Sequence, residues 1–110
     1  MNLQRFEVVW ADVAIRDLDD IVDFVALEAP MAAQRLFDRI TKRSISLETL
    51  PARGRIVPEL GRLDIQAYRE LIIPPHRLMY RVESKRVVVV AVVDARRDLE
   101  EILMARLLRP

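Results

Sequence analysis

The chain has 110 residues, of which 52% are apolar and 32% charged, so it has the length of one domain (residues 1–110) and the composition of a globular protein. It contains no cysteine, which excludes disulfides and thiolate metal sites and suits a reducing cytoplasm. The formal net charge is only +1, so a protein that binds nucleic acid through a global excess of positive charge is not indicated, and a basic site must come from local clustering.

The first half of the chain predicts a strand followed by two helices. Apolar side chains alternate between Phe6 and Trp10, which is the period of a strand. Asp12 is a predicted N-cap, and beyond it apolar residues recur at steps of three and four as far as Pro30. Pro30 is well placed to begin a second helix, whose apolar stripe extends to Leu50. Because the break between them is short, the two helices should fold back on each other as a hairpin.

The second half predicts three strands and a last helix. An irregular segment, residues 52–63, precedes strand character at residues 67–73 and a hard turn at Pro74-Pro75. Residues 76–83 alternate as a strand does. The uninterrupted apolar run at residues 87–93 is typical of a central strand that is covered on both faces, or at least flanked by neighbouring strands on both edges. The last predicted helix runs from about Asp98 to Leu108, with glutamates in its first turn and arginines near its end.

The element order is therefore β-α-α-β-β-β-α, which indicates an α+β domain with a mostly antiparallel sheet. The last three strands can form a meander, and the first strand must join an edge of the same sheet. No stretch approaches the roughly 20 apolar residues of a membrane span. The residues from Met1 to Trp10 contain Glu7 and lack a secretory h-region, so a cytoplasmic protein without a membrane partner is expected.

Three strings along the chain carry a resemblance to a known family. The strings are "RDLDDIVDFVALEAP", "LETLPARGRIVPELG" and "YRELIIPPHRLMYRVESKRVVVVAVVDARRDLEE". In this order and at these separations they resemble the RelE/ParE toxins, the poison half of type II toxin–antitoxin (plasmid stabilisation) systems, and more closely the ParE branch. The resemblance implies an N-terminal strand and a helical hairpin packed on a mostly antiparallel sheet with a C-terminal helix. No cofactor is expected, and with a single histidine and no cysteine a metal site is not expected either.

The resemblance also implies a concave sheet face that is lined by basic residues and rimmed by the last helix. The candidate target-binding residues are Arg69, Arg77, Arg81, Arg96 and Arg97. Arg77 and Arg81 are an even number of residues apart on one strand, so they should project from the same face, and Arg69 could join them if the register permits. Guanidinium groups suit phosphate or carboxylate recognition because their donors form a planar fork. The alternative is that these arginines only solvate the sheet.

Other polar residues have simpler interpretations. Tyr80 shares a face with Leu78 and is predicted to lie in the core, whereas His76 is predicted to be a solvated turn residue. The aspartates between Asp17 and Asp23 spread around a helix and are expected to form a solvated face, and not a metal site.

The target can be DNA gyrase, as for ParE-type relatives, or messenger RNA on the ribosome, as for RelE-type relatives. RNA cleavage needs a titratable group within hydrogen-bond reach of the reacting atoms, and arginine does not readily give up a proton. The candidates for acid–base work are Glu70, Glu83 and Asp94, and the segment from Asp94 onward has no histidine and no tyrosine. The sequence therefore favours a non-catalytic gyrase poison over a ribosome-dependent endonuclease. A third alternative is a degenerate toxin that retains only antitoxin binding.

Each alternative implies a cognate antitoxin. Antitoxins of this family lay an amphipathic helix, and often an extended segment, over the toxin. Grooves beside the helical hairpin and an open sheet edge would suit those shapes. A homodimer or a toxin–antitoxin hetero-oligomer is compatible with the sequence.

Overall fold

The elements follow the predicted order, with one short strand and one short helix added. The computed structural model describes residues 5–107, so Leu108 of the predicted last helix and the first residues, including Met1, lie outside the described part of the chain. In chain order the elements are strand β1 (Glu7–Trp10), helices α1 (Asp12–Ala26) and α2 (Pro30–Ile45), strand β2 (Arg55–Ile56), helix α3 (Pro58–Gly61), strands β3 (Tyr68–Ile73), β4 (His76–Glu83) and β5 (Arg86–Asp94), and helix α4 (Leu99–Leu107).

The strands form one five-stranded sheet in the order β1-β5-β4-β3-β2. The antiparallel meander of β3, β4 and β5 is confirmed, and so is the position of the first strand at an edge. That strand runs parallel to β5, with Val8 opposite Val87. The α+β class is therefore confirmed. The prediction that residues 52–63 are irregular is wrong at β2 and α3, because two residues of strand and four of helix are too short to show a period.

Strand β5 presents apolar side chains to both faces of the sheet and contains one β-bulge. Met79 pairs with Ala91 and Tyr80 with Val89, so Val90 is an extra residue in β5 that bulges between them. Val89 faces the helical hairpin, whereas Val90 and Ala91 both face the opposite side of the sheet. The run shows no alternation because helices cover both faces of β5, and the prediction of a central strand covered on both faces is confirmed.

Helices α1 and α2 form the predicted hairpin and cover one face of the sheet. Ala14 and Ile40 are completely buried in the core beneath them, where each fully buried large aliphatic side chain contributes about 1.5–3 kcal/mol. Pro30 is the first residue of α2, as predicted. The predicted N-cap at Asp12 is wrong, because Asp12 is already helical and the extended residue before it is Ala11, which makes no side-chain cap. The second helix also ends earlier than Leu50, at a 3-10 turn over Ser46–Glu48.

Helices α3 and α4 cover the other face, so the sheet lies between two helical layers. Leu60 of α3 and Leu99 and Leu103 of α4 are buried against Met79 in a second core cluster. Strand β4 is buried on both sides as a result, with Tyr80 facing the hairpin layer and Met79 facing α3 and α4.

An ion pair between α1 and α4 lies beside the part of β5 that has no pairing with β1. Strand β1 pairs with β5 only as far as Val89, and beyond it Asp17 of α1 accepts a hydrogen bond of 3.0 Å from the backbone N–H of Val92. Arg106 of α4 donates to both carboxylate oxygens of Asp17, at 2.7 and 2.8 Å. The prediction that the α1 aspartates form a solvated face is therefore wrong for Asp17, although Asp19, Asp20 and Asp23 are exposed.

Candidate target-binding face

The register of the β3–β4 hairpin decides which arginines share a face. Arg77 and Arg81 project from the side of the sheet that α3 and α4 cover, as predicted from their even spacing, because Arg81 pairs with Tyr68 and Val88 of that side. Arg69 pairs with Tyr80 and therefore projects toward the hairpin layer. The register therefore does not permit Arg69 to join the other two.

Arg77 lies at the centre of a group of four charges, which we call the ion cluster (Arg55, Glu59, Glu70 and Arg77), and it is buried there together with Glu70. Its Nη1 and Nη2 atoms donate to the two carboxylate oxygens of Glu59, at 2.8 Å each. Its Nε donates to Oε1 of Glu70 at 2.7 Å, and Nε of Arg55 donates to Oε2 of the same carboxylate at 2.6 Å. The cluster is neutral overall, and it ties α3 to strands β3 and β4.

The guanidinium donors of Arg77 that a target would have to bind are already hydrogen-bonded within the ion cluster. The side chain of Glu70 is 0% exposed and that of Arg77 is 8% exposed, so neither presents itself to solvent. The hydrogen bonds from Arg77 hold the pKa of the Glu59 carboxyl below its usual range, and the same contact raises the pKa of Arg77. The geometry thus makes Arg77 a structural tether between α3 and the sheet.

The other predicted arginines are spread over the molecule. Nε of Arg81 lies 3.1 Å from Oε2 of Glu83, and the Arg81 side chain is 34% exposed. Arg96 and Arg97 follow the last residue of β5, beside the start of β4. Arg81 lies five residues along β4 from that start, a distance of roughly 17 Å. Arg97 is exposed and makes no ion pair within residues 5–107. The structure therefore brings together Arg77 and Arg81 on one face, and Arg96 and Arg97 at one strand end.

Arg69 holds the loop before β2 in place. Its Nη1 donates to the carbonyl of Gly54 at 2.7 Å, and the hydroxyl of Tyr80 accepts a hydrogen bond of 2.9 Å from the backbone N–H of the same glycine. Tyr80 is completely buried, as predicted. Burial raises the pKa of the Tyr80 phenol, so the hydroxyl is neutral.

The three carboxylates considered for acid–base work are all paired with arginine. Glu70 belongs to the ion cluster, and Glu83 pairs with Arg81. Asp94 accepts hydrogen bonds from the Nε, Nη2 and backbone N–H of Arg96, at 2.9, 2.7 and 2.8 Å. These bonds hold the pKa of Asp94 far below its usual range, so this carboxyl stays ionised and is a poor general acid.

His76 is buried, which contradicts the prediction of a solvated turn residue. It is the first residue of β4, opposite Asp94 of β5, and it is 7% exposed. The end of α1 reaches over this strand end, and Ile21 and Val25 line the same pocket as the imidazole. Burial lowers the pKa of His76, with Arg39 and Arg96 acting in the same direction and Asp94 opposing them.

This arrangement predicts an acid-sensitive contribution to stability from His76. Its pKa in the folded protein lies below the ordinary value near 6.5, so the folded state favours the neutral imidazole. The contribution is fully present above that ordinary value and is lost as the pH falls toward the folded-state pKa. As the pH is lowered from 7.5 to 5.5, we expect the melting temperature of His76→Gln to fall less than that of the wild type. Equal decreases in the melting temperatures of both proteins would contradict the prediction.

Sequence reasoning missed the partners that define this face. Arg55 and Glu59 lie in the segment predicted to be irregular, and neither belongs to a periodic pattern. One signal was present for Arg69: a two-residue turn at Pro74-Pro75 pairs Ile73 with His76 and therefore Arg69 with Tyr80. Within residues 5–107 no group of three or more metal-ligating side chains is close enough to hold an ion. In the same part of the chain, no helix is long and apolar enough to cross a bilayer.

Comparison with known proteins gives a family and a set of similar folds. The family model described as "ParE toxin of type II toxin-antitoxin system, parDE" matches residues 8–99. Toxin RelE2 from Caulobacter vibrioides is 34% identical over 92 residues, which cover 83% of this chain and 97% of that protein. The chromosomal ParDE system from P. aeruginosa contains a chain with a TM-score of 0.70 at 20% identity, covering 83% of this chain and 97% of that one. The toxin–antitoxin complex RelBE2 from Mycobacterium tuberculosis contains a chain with a TM-score of 0.61 at 20% identity, covering 84% and 94%.

Proposed function

The chain belongs to the ParE toxin family of type II toxin–antitoxin systems, and we propose that this toxin acts by binding and poisoning DNA gyrase and is neutralised by a cognate antitoxin. Poisoning a topoisomerase is a protein–protein mechanism, so it needs a recognition surface but no acid–base pair in the toxin.

One observation carries the choice of gyrase over RNA cleavage: the polar groups that a nuclease would need are engaged with each other. Glu70, Glu83 and Asp94 are each paired with arginine, and Arg77 donates to two carboxylates inside the ion cluster. An arginine that already neutralises a buried carboxylate cannot also stabilise the charge that develops on a phosphate. The candidate catalytic groups are therefore occupied in ion pairs, of which only that of Glu70 with Arg77 is buried, and this favours a binder.

Among the arginines that the proposal assigns to the target, Arg81 and Arg97 make the fewest competing contacts within the described residues. We expect Arg81→Ala to reduce growth inhibition at least about tenfold, because an arginine at the centre of a protein interface commonly contributes over 1 kcal/mol. The fold should survive, since its ion pair with Glu83 is partly exposed to solvent and such surface pairs contribute little. The measurement is growth inhibition beside a thermal melt and antitoxin binding. Unchanged toxicity would remove Arg81 from the target surface.

The proposed target is tested with purified gyrase, relaxed plasmid and ATP, beside a ribosome-bound messenger cleavage assay. We expect loss of supercoiling, accumulation of cleaved DNA and intact messenger. Cut messenger with normal supercoiling would overturn the proposal. Silence in both assays, from a protein that still binds its antitoxin, would indicate a degenerate toxin.

Ribosome-dependent RNA cleavage is the second candidate, and His76 is the observation that favours it. The imidazole lies opposite Asp94 at the end of β4, and burial lowers its pKa, so it is a neutral base near pH 7. If messenger is cut, His76→Gln should abolish cleavage and Asp94→Asn should reduce it. The same two variants should leave gyrase poisoning unaffected under the first proposal.

The antitoxin is the proposed partner in either case. Co-expression with the antitoxin encoded beside this toxin should give a stable complex, and expression alone should arrest growth. The mass of the purified complex would distinguish a simple pair from a larger toxin–antitoxin hetero-oligomer or a toxin homodimer. Harmless high-level expression of the toxin alone would count against the proposal.

A further inference from the structure

Charge is distributed unevenly over the helical hairpin, although the formal net charge of the chain is only +1. Helix α1 carries five aspartates and one arginine, whereas α2 carries four cationic side chains and one aspartate. Helix α1 lies over β5, where Asp17 accepts from the backbone of Val92. Helix α2 lies toward β3, where Arg39 donates to the carbonyl of Pro74 at 3.1 Å. The negative and positive groups therefore lie on opposite sides of the hairpin.

The four cations of α2 lie on one side of that helix, which we call the α2 flank (Arg35, Arg39, Lys42 and Arg43). At 3.6 residues per turn, their spacing places them within about 100° of one another around the helix axis. The single aspartate, Asp38, falls outside this arc and accepts a hydrogen bond from Gln34. From the first cation to the last the helix rises eight residues, which is roughly 12 Å.

The cations of the α2 flank have no carboxylate partners in the described part of the chain. None of the four makes an ion pair within residues 5–107. The helix dipole stabilises Lys42 and Arg43 in the last turn, but Arg35 and Arg39 lie farther from that end. The Nε atom of Arg43 is buried and has no hydrogen-bond partner among the same residues. Because buried donors are normally satisfied, an acceptor from outside the chain is expected there.

A row of unpaired cations suits a row of phosphates. Each strand of duplex DNA carries one phosphate per roughly 3.4 Å of helix axis, so the α2 flank matches three to four successive phosphates. A protein interface would instead be centred on apolar anchors. Phe37 is the exposed large apolar residue between Arg35 and Arg43, and the helical period places it on the opposite side of α2. The composition of the flank therefore favours a nucleic-acid backbone over a protein surface.

We propose that the α2 flank binds the phosphate backbone of the duplex DNA that gyrase holds. The inference rests on the proposed function, because a toxin that traps a topoisomerase on cleaved DNA acts beside a duplex. The carboxylates of α1 would face away from that duplex, since phosphate repels them, and this fixes the orientation of the toxin. Backbone contacts carry no sequence information, so the toxin should bind DNA without sequence preference.

The test measures binding of purified toxin to a short, fluorescently labelled DNA duplex of mixed sequence at several salt concentrations. We expect the logarithm of the association constant to fall with the logarithm of the salt concentration, with a slope of about −3. In Arg35→Gln/Lys42→Gln the slope should change to about −1, and binding at low salt should weaken at least about tenfold. Neither side chain is hydrogen-bonded to another described residue, and glutamine favours a helix, so the fold should survive, which a thermal melt checks.

The matched control is Arg16→Gln/Arg62→Gln, which removes two exposed cations outside the α2 flank. Each pair of substitutions removes two positive charges, so the formal net charge goes from +1 to −1 in both proteins. The control should keep the slope and the affinity of the wild type. Equal weakening of both proteins would show that net charge alone governs binding, and this would overturn the inference.

The gyrase cleavage assay gives a second measurement. Arg35→Gln/Lys42→Gln should need about tenfold more toxin than the wild type to accumulate the same amount of cleaved DNA, and the control should not. Unchanged DNA affinity with lost poisoning would assign the α2 flank to the gyrase protein and overturn the inference. Tighter binding to an RNA duplex of the same sequence would also overturn it, in favour of the ribosome.

Failure of the inference and failure of the proposed function give different results. A wild-type toxin that poisons gyrase but shows no salt-dependent binding to DNA would overturn the inference and leave the proposed function standing. A toxin that binds DNA through the α2 flank but does not poison gyrase would support the DNA contact and overturn the proposed function.

Discussion

Replacing Arg77 by methionine should lower the free energy of unfolding by about 3–5 kcal/mol, because it removes one partner of a buried ion pair and leaves the other charge in place. Glu70 would keep only Arg55, and Glu59 would lose both of its hydrogen bonds from Arg77. Methionine fills much of the volume of the arginine stem, so the loss reflects charge more than packing. Chemical unfolding of the purified protein measures the effect.

A compensating substitution distinguishes the structural role of Arg77 from a role in target binding. In Glu70→Leu/Arg77→Met the buried pair becomes two apolar side chains, which is often neutral or stabilising, so most of the lost stability should return. If toxicity returns with stability, Arg77 acts through the fold. If the double variant is stable but not toxic, Arg77 contacts the target. Recovery of neither property would contradict the ion-cluster interpretation. Arg97→Ala is the matched control and should change stability by less than about 0.5 kcal/mol, because the side chain is exposed.

Gly54→Ala is expected to lower the free energy of unfolding by about 1–3 kcal/mol or more, because the backbone there has no room for a methyl group. A Cβ at this position would lie 2.6 Å from the carbonyl oxygen of Glu70 and 2.6 Å from the hydroxyl of Tyr80. The carbonyl belongs to strand β3 and cannot move without disturbing the sheet. Gly61→Ala is the control, because the nearest atom to its added Cβ is Cγ2 of Ile56 at an ordinary 3.6 Å.

A double-mutant cycle with Tyr80→Phe separates the two causes. The single change Tyr80→Phe removes the acceptor for the Gly54 N–H and should cost about 1–3 kcal/mol, since that donor is buried. In Tyr80→Phe/Gly54→Ala the hydroxyl no longer obstructs the new methyl group. The stability losses of the two single variants should therefore sum to more than the loss measured for the double variant. Strictly additive losses would show that the Glu70 carbonyl alone accounts for the cost of the alanine.

The hydrophobic periods of this sequence were sufficient to predict most of its fold. The period of α1 and the position of Pro30 predicted a helical hairpin, and the run from Val87 to Val93 predicted a strand covered on both faces. The resemblance to the RelE/ParE toxins, made from strings along the chain, is confirmed by the family match. These features could be predicted because each depends on residues that are close together in the sequence.

The candidate site depended on contacts between distant residues, which only the tertiary structure decided. Arg77 was predicted to face a target, but a bidentate contact from Glu59, eighteen positions away in a segment without any period, makes it part of the core. His76 was predicted to be solvated because of its position after two prolines, yet the end of α1 covers it. Local sequence specifies which side chains share a strand face. Whether such a face meets solvent, an ion partner or another helix is decided by which elements pack over it, and that depends on the whole chain.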